Sequence, residues 1–299
     1  MRYGELTEHG VGIIMKEVVR RAMAFINKTR RNFEVKEKDP YFKDLKNEDF
    51  FTTCDTGAQE IYLKILQENF PGMGIIGEED SLKIEPKMGF SGLHWVLDPV
   101  DGTKALIRRQ SDGIGTMIAL VNYNTREVLC AAVGDIMTEE VYYFRPGSSN
   151  VWRVTGLDVA EEMKINTDLH LSEQFVSLRE FPSAHCELVQ KLVDGKEKLF
   201  KNGVVEGGSI GIHMAKLWKG QYGAVIIPPG AETPWDSIPV IGISKALGFT
   251  SVDVFPNGNI STVPLSKTLL PDKVYRREST RIFVHQSRIR ELIDALEIL

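Results

Sequence analysis

Apolar side chains at positions 11, 14, 15, 18, 19, 22 and 26 of "VGIIMKEVVRRAMAFI" fall on one face of a helix and predict an amphipathic helix over residues 11–26. The same spacing returns at Ala58, Ile61, Tyr62, Ile65 and Leu66. It predicts a second helix beginning near Asp55, a residue able to cap the free N–H groups ahead of it. Residues 28–50, between the two, are dense in mixed charge and contain Asp39-Pro40, the pattern of a mobile loop or hairpin. Short apolar runs then take over: "II" after "PGMG", "HWVLD", "GTMIALV" (115–121), "EVLCAAVGD" (127–135) and "EEVYYFRP" (139–146). Polar turns separate them, so the series predicts a mostly antiparallel sheet following two helices.

From about residue 155 the pattern alternates between helix and strand. Helical segments are expected near 183–193 and 209–218, with a strand at "GAVIIP" (223–228). "PWDSIPVIGISKALGF" (234–249) is apolar all round, as a buried helix is, with Pro239 in its first turns. "TRIFVHQ" (280–286) predicts a strand, and "SRIRELIDALEIL" a closing helix with Ser287 as its cap. The expected class is α/β (α+β) in one compact catalytic unit. Residues 1–155 form an N-terminal half with the antiparallel sheet, and 156–299 a C-terminal α/β half.

Composition narrows the function. The chain has 299 residues, 42% hydrophobic and 26% charged, which is ordinary for a protein with a sizeable core. Its net charge of -5 argues against a nucleic-acid polymer as partner. The basic clusters "KTRR" (28–31) and "YRRESTR" (275–281) are short and read as solvated surface. Three cysteines without CxxC spacing imply free thiols in a reducing compartment, and the six histidines form no zinc pattern. The polar start "MRYGELTEHG" and the lack of any long apolar run imply no secretory leader and no membrane span, so a cytoplasmic location is expected.

Acidic residues stand at the ends of the predicted elements: Asp55, the pair Glu78-Glu79, the pair Asp98 and Asp101, and Asp236. Such hard oxygen ligands suit magnesium, manganese or calcium. An EF-hand loop counted from Asp98 needs Glu at its twelfth position, where Arg109 stands, so that option fails. In "DPVDGT" (98–103), Pro99 stiffens the turn, the Val100 carbonyl lies beside both carboxylates, and Gly102 permits a twist. The amides of Gly102 and Thr103 would open the helix "TKALIRR", a place that attracts phosphate. Alone, Asp-Pro-x-Asp-Gly is commonly a turn and Asp55 commonly a cap. Their joint order carries the argument.

"GEE" (77–79), "DPVDGT" (98–103) and "WD" (235–236), with Asp55 ahead of an amphipathic helix, resemble the inositol monophosphatase family, from the first helix to about residue 250. The resemblance implies a layered αβαβα sandwich of the inositol monophosphatase and sugar phosphatase type, commonly a homodimer. It also implies a magnesium-dependent, commonly lithium-sensitive phosphomonoesterase working by metal-activated attack of water. Two or three Mg2+ ions are implied, with Mn2+ as a substitute. Residue by residue, Glu78, Asp98, the Val100 carbonyl, Asp101 and Asp236 match metal ligands. Asp55 and Thr103 match the pair that orients and helps deprotonate the attacking water, and Glu79 would either stand behind the metal ligands or help hold a more weakly bound metal.

The substrate side departs from the family pattern. The acidic residue usual seven positions before the last metal-binding Asp is Pro229 here, leaving Glu232 as the nearby acid able to take that role. Gly102, Thr103, Lys104, Gly208, Ser209 and Glu232 are the candidate phosphate and substrate contacts. Lys104 and "PPGAETPWDS" resemble the 3′(2′),5′-bisphosphate nucleotidase branch, the alternative to a small soluble phosphate ester of the inositol type. An inactive metal-binding regulatory protein of the same fold would have lost a ligand, and every ligand position here is filled.

Overall fold

A computed structural model describes residues 3, 6–39, 41–42, 49–265 and 271–298. The chain opens with helix α1 (Glu8–Thr29), whose buried stripe includes Val11, Met15, Val18, Val19, Ala22 and Ile26. Strands β1 (Val35–Lys38) and β2 (Asp49–Thr52) pair antiparallel, the hairpin expected for 28–50, although Pro40 and residues 43–48 lie outside the described residues. Helix α2 (Thr53–Asn69) follows. Its N-cap is Thr52, not Asp55: Asp55 sits three residues on and reaches back to the Thr52 backbone in a capping box.

Next come β3 (Gly74–Gly77), β4 (Lys83–Ile84), β5 (Leu93–Asp101), the one-turn helix α3 (Thr103–Ile107), β6 (Gly115–Asn122), β7 (Glu127–Asp135) and β8 (Glu140–Phe144). Strands β9 (Trp152–Val154) and β10 (Ala160–Glu162) extend the same sheet to Glu162. Its order is β10-β9-β8-β7-β6-β5-β3-β4, and β3 with β5 is its parallel pair.

A second sheet begins with β11 (Phe175–Leu178), followed by α4 (Glu187–Asp194), β12 (Asn202–Val205), α5 (Ile210–Trp218) and β13 (Ala224–Ile227). After β14 (Gly230–Glu232) and α6 (Pro234–Ala246) come β15 (Phe249–Val254), β16 (Ile260–Val263), β17 (Tyr275–Arg277), β18 (Thr280–His285) and α7 (Ile289–Ile298). The order is β12-β11-β13-β18-β15-β16, with β14 and β17 forming a separate ribbon. Ser287 does not cap the last helix; His285 caps the turn before it by accepting from the Ser287 amide.

The layering follows from which strand faces are apolar. Trp95, Leu97, Ile118 and Leu120 pack on α1 and α2, whereas Val96, Met117, Ala119 and Val133 pack on α5 and α6. Those two helices also meet Val225, Phe249 and Phe283 of the second sheet, whose far face (Leu178, Val252, Ile282, Val284) is covered by α4 and α7. The result is an αβαβα sandwich. With both faces covered, β5 and β6 are buried along their whole length, which explains why their sequences run apolar instead of alternating.

One sequence reading is overturned. "YRRESTR" is not solvated surface: Arg277 and Arg281 are each only 8% exposed. Two buried guanidinium groups need anions, and Glu232 and Asp253 supply them.

Candidate active site

In a regular strand, residues three apart point to opposite faces. Asp98 and Asp101 escape that rule. Asp98 pairs with Met117 and Asp101 with Gly115, so three residues of β5 advance against two of β6. This bulge at Pro99-Val100 turns both carboxylates to the α5/α6 side. Pro99, which has no N–H to offer the ladder, sits where the ladder is already interrupted. Asp236, in the first turn of α6 behind the N-cap Thr233, completes the group. Carboxylate oxygens of Asp98, Asp101 and Asp236 lie within 4.8 Å of one another.

Asp101 is held most firmly. It accepts from the Ile210 amide (3.0 Å), the Gly211 amide (2.7 Å) and the Ser209 hydroxyl, at the start of α5. The glycines at 102 and 208 make this possible. Gly102 (φ 95°) lies where a Cβ would come 2.3 Å from the Gly113 carbonyl, and Gly208 (φ 99°) approaches the same carbonyl. The Ser209 hydroxyl also accepts from the Ile212 amide, so it is committed on both sides and orients Asp101. Ser209, named from the sequence as a candidate substrate contact, thus has its hydroxyl engaged with Asp101 and the Ile212 amide.

Burial, and then the neighbouring negative charges, push the Asp98 carboxyl well above the usual range. Asp236 is raised to about 7, first by burial and then by Asp101 and Glu78. Asp101 is raised by burial, while Arg179 and its three donors pull the other way. The Asp98 Oδ1 atom is buried with no hydrogen-bond partner among the described residues. An orphaned buried oxygen among converging carboxylates is the environment a hard divalent cation relieves, so the donor set fits a magnesium-type ion.

Asp55 and Thr103 stand beside this cluster. The Thr103 hydroxyl is 2.9 Å from Asp55 Oδ1 and 3.1 Å from the Val100 carbonyl. Asp55 Oδ2 accepts from the amide and hydroxyl of Thr52 (2.7 and 2.5 Å). Burial raises Asp55 to about 6, against the pull of these donors. Glu79 is buried and raised to about 8, first by burial and then by Glu78. Its backbone is fixed by Gln59, whose side-chain amide bridges the Glu79 N–H and C=O at 3.2 Å each.

Several participants were not foreseen from the sequence. Lys38 Nζ lies 3.0 Å from Glu78 and 3.4 Å from Glu79, and the Tyr41 hydroxyl is 3.4 Å from Glu78. Tyr41 in turn packs on Trp235 with ring centroids 6.1 Å apart. All this opens into a cavity of about 610 Å³ whose walls include Lys104, Arg108, Arg179, Gly208, Pro229 and Glu232. Glu232, the candidate acid for substrate hydroxyls, lines this cavity and is bound by Arg277 (2.9 Å) and Arg281 (2.6 Å), and it receives the Ser237 hydroxyl at 3.2 Å. Only the charge pattern of "YRRESTR" could have warned of this, and it has no local partner. Cys54, beside Asp55, is fully buried and its thiol is pushed up by burial, as a structural thiol is.

This fold and acidic site define a class, and residues 7–290 match the model of the inositol monophosphatase family. The chain belongs to that family. It is 27% identical over 118 residues to the inositol-1-monophosphatase of Bacillus subtilis, covering 39% of this chain and 42% of that protein. It is 31% identical over 146 residues to the Nus factor SuhB of Xylella fastidiosa, covering 49% of each. These matches thus span less than half the length of either relative. An IMPase/NADP phosphatase solved with Mg2+ and phosphate superimposes with a TM-score of 0.69 at 18% identity, over 98% of this chain and 96% of that one, a likeness of fold. No helix among the described residues is long and apolar enough to cross a membrane.

Proposed function

We propose that the chain is a metal-dependent phosphomonoesterase acting on a small soluble phosphate ester. The observation that carries this reading is the convergence of Asp98, Asp101 and Asp236 beside the Asp55–Thr103 hydrogen bond. Glu78, Asp98, the Val100 carbonyl, Asp101 and Asp236 would hold Mg2+, with Mn2+ as a substitute. When bound, such ions lower the pKa of water and neutralise phosphate charge.

The protein's own groups do the rest. Asp55, ionised and held by three donors, takes the Thr103 proton as a hydrogen bond and turns the Thr103 lone pairs outward, where they accept from an attacking water. The amides of Gly102 and Thr103, at the start of α3, would meet phosphate oxygens. Positioning and charge stabilisation supply most of the catalysis in phosphoryl transfer.

Three cysteines without a disulfide support a cytoplasmic setting, and the family resemblance supports a homodimer and lithium inhibition. The deciding experiment is phosphate release from inositol 1-phosphate in Mg2+, repeated in excess chelator and with Asp236→Asn. The reading expects activity that both treatments abolish. Turnover persisting in chelator would remove it. A 3′(2′),5′-bisphosphate nucleotidase is the second reading, favoured by Lys104 on the cavity wall, and 3′-phosphoadenosine 5′-phosphate in the same assay separates the two.

A further inference from the structure

The turn that carries Glu78 and Glu79 is strained. Between β3 and β4, Asp80 (φ 55°) and Ser81 (φ 50°) both take left-handed backbone without being glycine. Such a turn keeps one shape only where its surroundings over-determine it. Two backbone bonds close it, from the Gly77 amide to the Leu82 carbonyl (3.0 Å) and from the Leu82 amide to the Glu79 carbonyl (3.1 Å). Neither restrains the peptide that joins Glu78 to Glu79.

Gln59 does. It is buried on α2, one turn beyond Asp55 and on the same helix face. Its Oε1 accepts from the Glu79 N–H and its Nε2 donates to the Glu79 carbonyl, so the peptide planes on both sides of Glu79 are held at once. A side-chain amide is suited to this because it presents an acceptor and a donor side by side. Gly77 leaves the room: a Cβ there would come 2.7 Å from Gln59 Oε1. The shape so held lets one ammonium, Lys38 Nζ, meet both Glu78 (3.0 Å) and Glu79 (3.4 Å), and it turns Glu78 into the cavity shared with Asp98 and Asp101.

We propose that Gln59 is a positioning residue for the metal centre, holding the Glu78–Glu79 turn in the shape in which its carboxylates converge on one cation. This rests on the metal-dependent reading, which gives Glu78 an ion to hold. The same helix carries Asp55, whose Oδ1 accepts from the Thr103 hydroxyl at 2.9 Å. Helix α2 is thereby the common reference for the pair that orients water and for the glutamates that face the ion. Without the Gln59 amide, the strained turn is free to relax and the glutamates to part.

Calorimetry with Mg2+ alone tests this on the full chain, as wild type, Gln59→Met and Gly77→Ala. Methionine keeps the length and helix preference of glutamine and offers neither bond. The Gly77→Ala methyl displaces the amide from the loop side while Gln59 stays in place. In both variants the Kd of at least one Mg2+ is expected to rise about 10-fold or more, as when a group that orients a metal ligand is removed. The Mg2+ concentration for half-maximal phosphate release should rise with it, while the KM for the ester at saturating Mg2+ stays unchanged. A merely structural Gln59 would lower the Tm in chelator and leave Mg2+ affinity alone. Unchanged Mg2+ Kd in both variants overturns the proposal, and so does loss of the fold in both, seen by circular dichroism. No Mg2+ binding to the wild type overturns the metal reading and this role with it. Mg2+ binding without phosphate release overturns the phosphatase reading alone, and the Kd ratio still decides for Gln59.

Discussion

Asp98 concentrates the chemistry of the site: fully enclosed, one oxygen without a partner, and three acidic neighbours. Asp98→Asn should therefore do two opposite things. Turnover should fall at least about 100-fold, because a ligand charge is gone. In chelator the variant should melt higher than the wild type, by roughly 2 °C per kcal/mol of repulsion relieved, and Mg2+ should no longer raise its Tm as strongly. Paired melts with and without Mg2+ check both.

A second residue-scale case is His213. Its Nε2 must donate to the Gly207 carbonyl, so Nδ1 accepts from the Ser177 hydroxyl, each at 3.3 Å. Burial first, and then Arg179, lower its pKa to about 3. The unfolded chain takes up this proton as pH falls below about 6.5, and the folded chain does not until about 3. The neutral ring's contribution is present above that window and is lost through it, at up to about 1.4 kcal/mol per pH unit. His213→Gln should flatten the pH dependence of unfolding between about pH 6 and 4. Parallel curves would show that the ring titrates normally.

At the scale of elements, the bulge in β5 and the α5 start are locked together through Gly102 and Gly208, both packed on the Gly113 carbonyl. Gly102→Ala would set a methyl against backbone, not against a side chain that can move. The expected cost is about 1–3 kcal/mol in denaturant unfolding, with loss of activity because Asp101 shifts. Wild-type activity in that variant would mean that the turn is slack. The helices α1 and α2 and the strands β5 to β8 were legible in the sequence because each depends on a local period. The short strands β9, β10, β14, β16 and β17 were not, since a run of three or four residues has too little pattern. "PWDSIPVIGISKA" could be read as a helix because its apolar surface exceeds what a half-buried strand carries, but its end at Ala246 and the strand from Phe249 blurred together.

Across the whole molecule, the Glu232 network ties the β14–β17 ribbon to the second sheet through Arg277, Arg281 and Asp253. Breaking a buried pair strands the remaining charges, so Glu232→Gln should cost about 3–5 kcal/mol of stability. Thermal and denaturant melts read this directly. A variant with unchanged stability and a raised KM would return Glu232 to the substrate.

The sequence by itself determined the amphipathic helices, the bulk of the first sheet and the acidic motif from Asp98 to Thr103, because period, turn chemistry and charge type are properties of neighbouring residues. Tertiary structure alone decided that Asp236 joins Asp98 and Asp101 from another layer, that Ser209 serves Asp101, and that Glu232 is spent on two arginines. Whether a charge is free or neutralised depends on what lies a few ångströms away through space. The chain order does not record that distance.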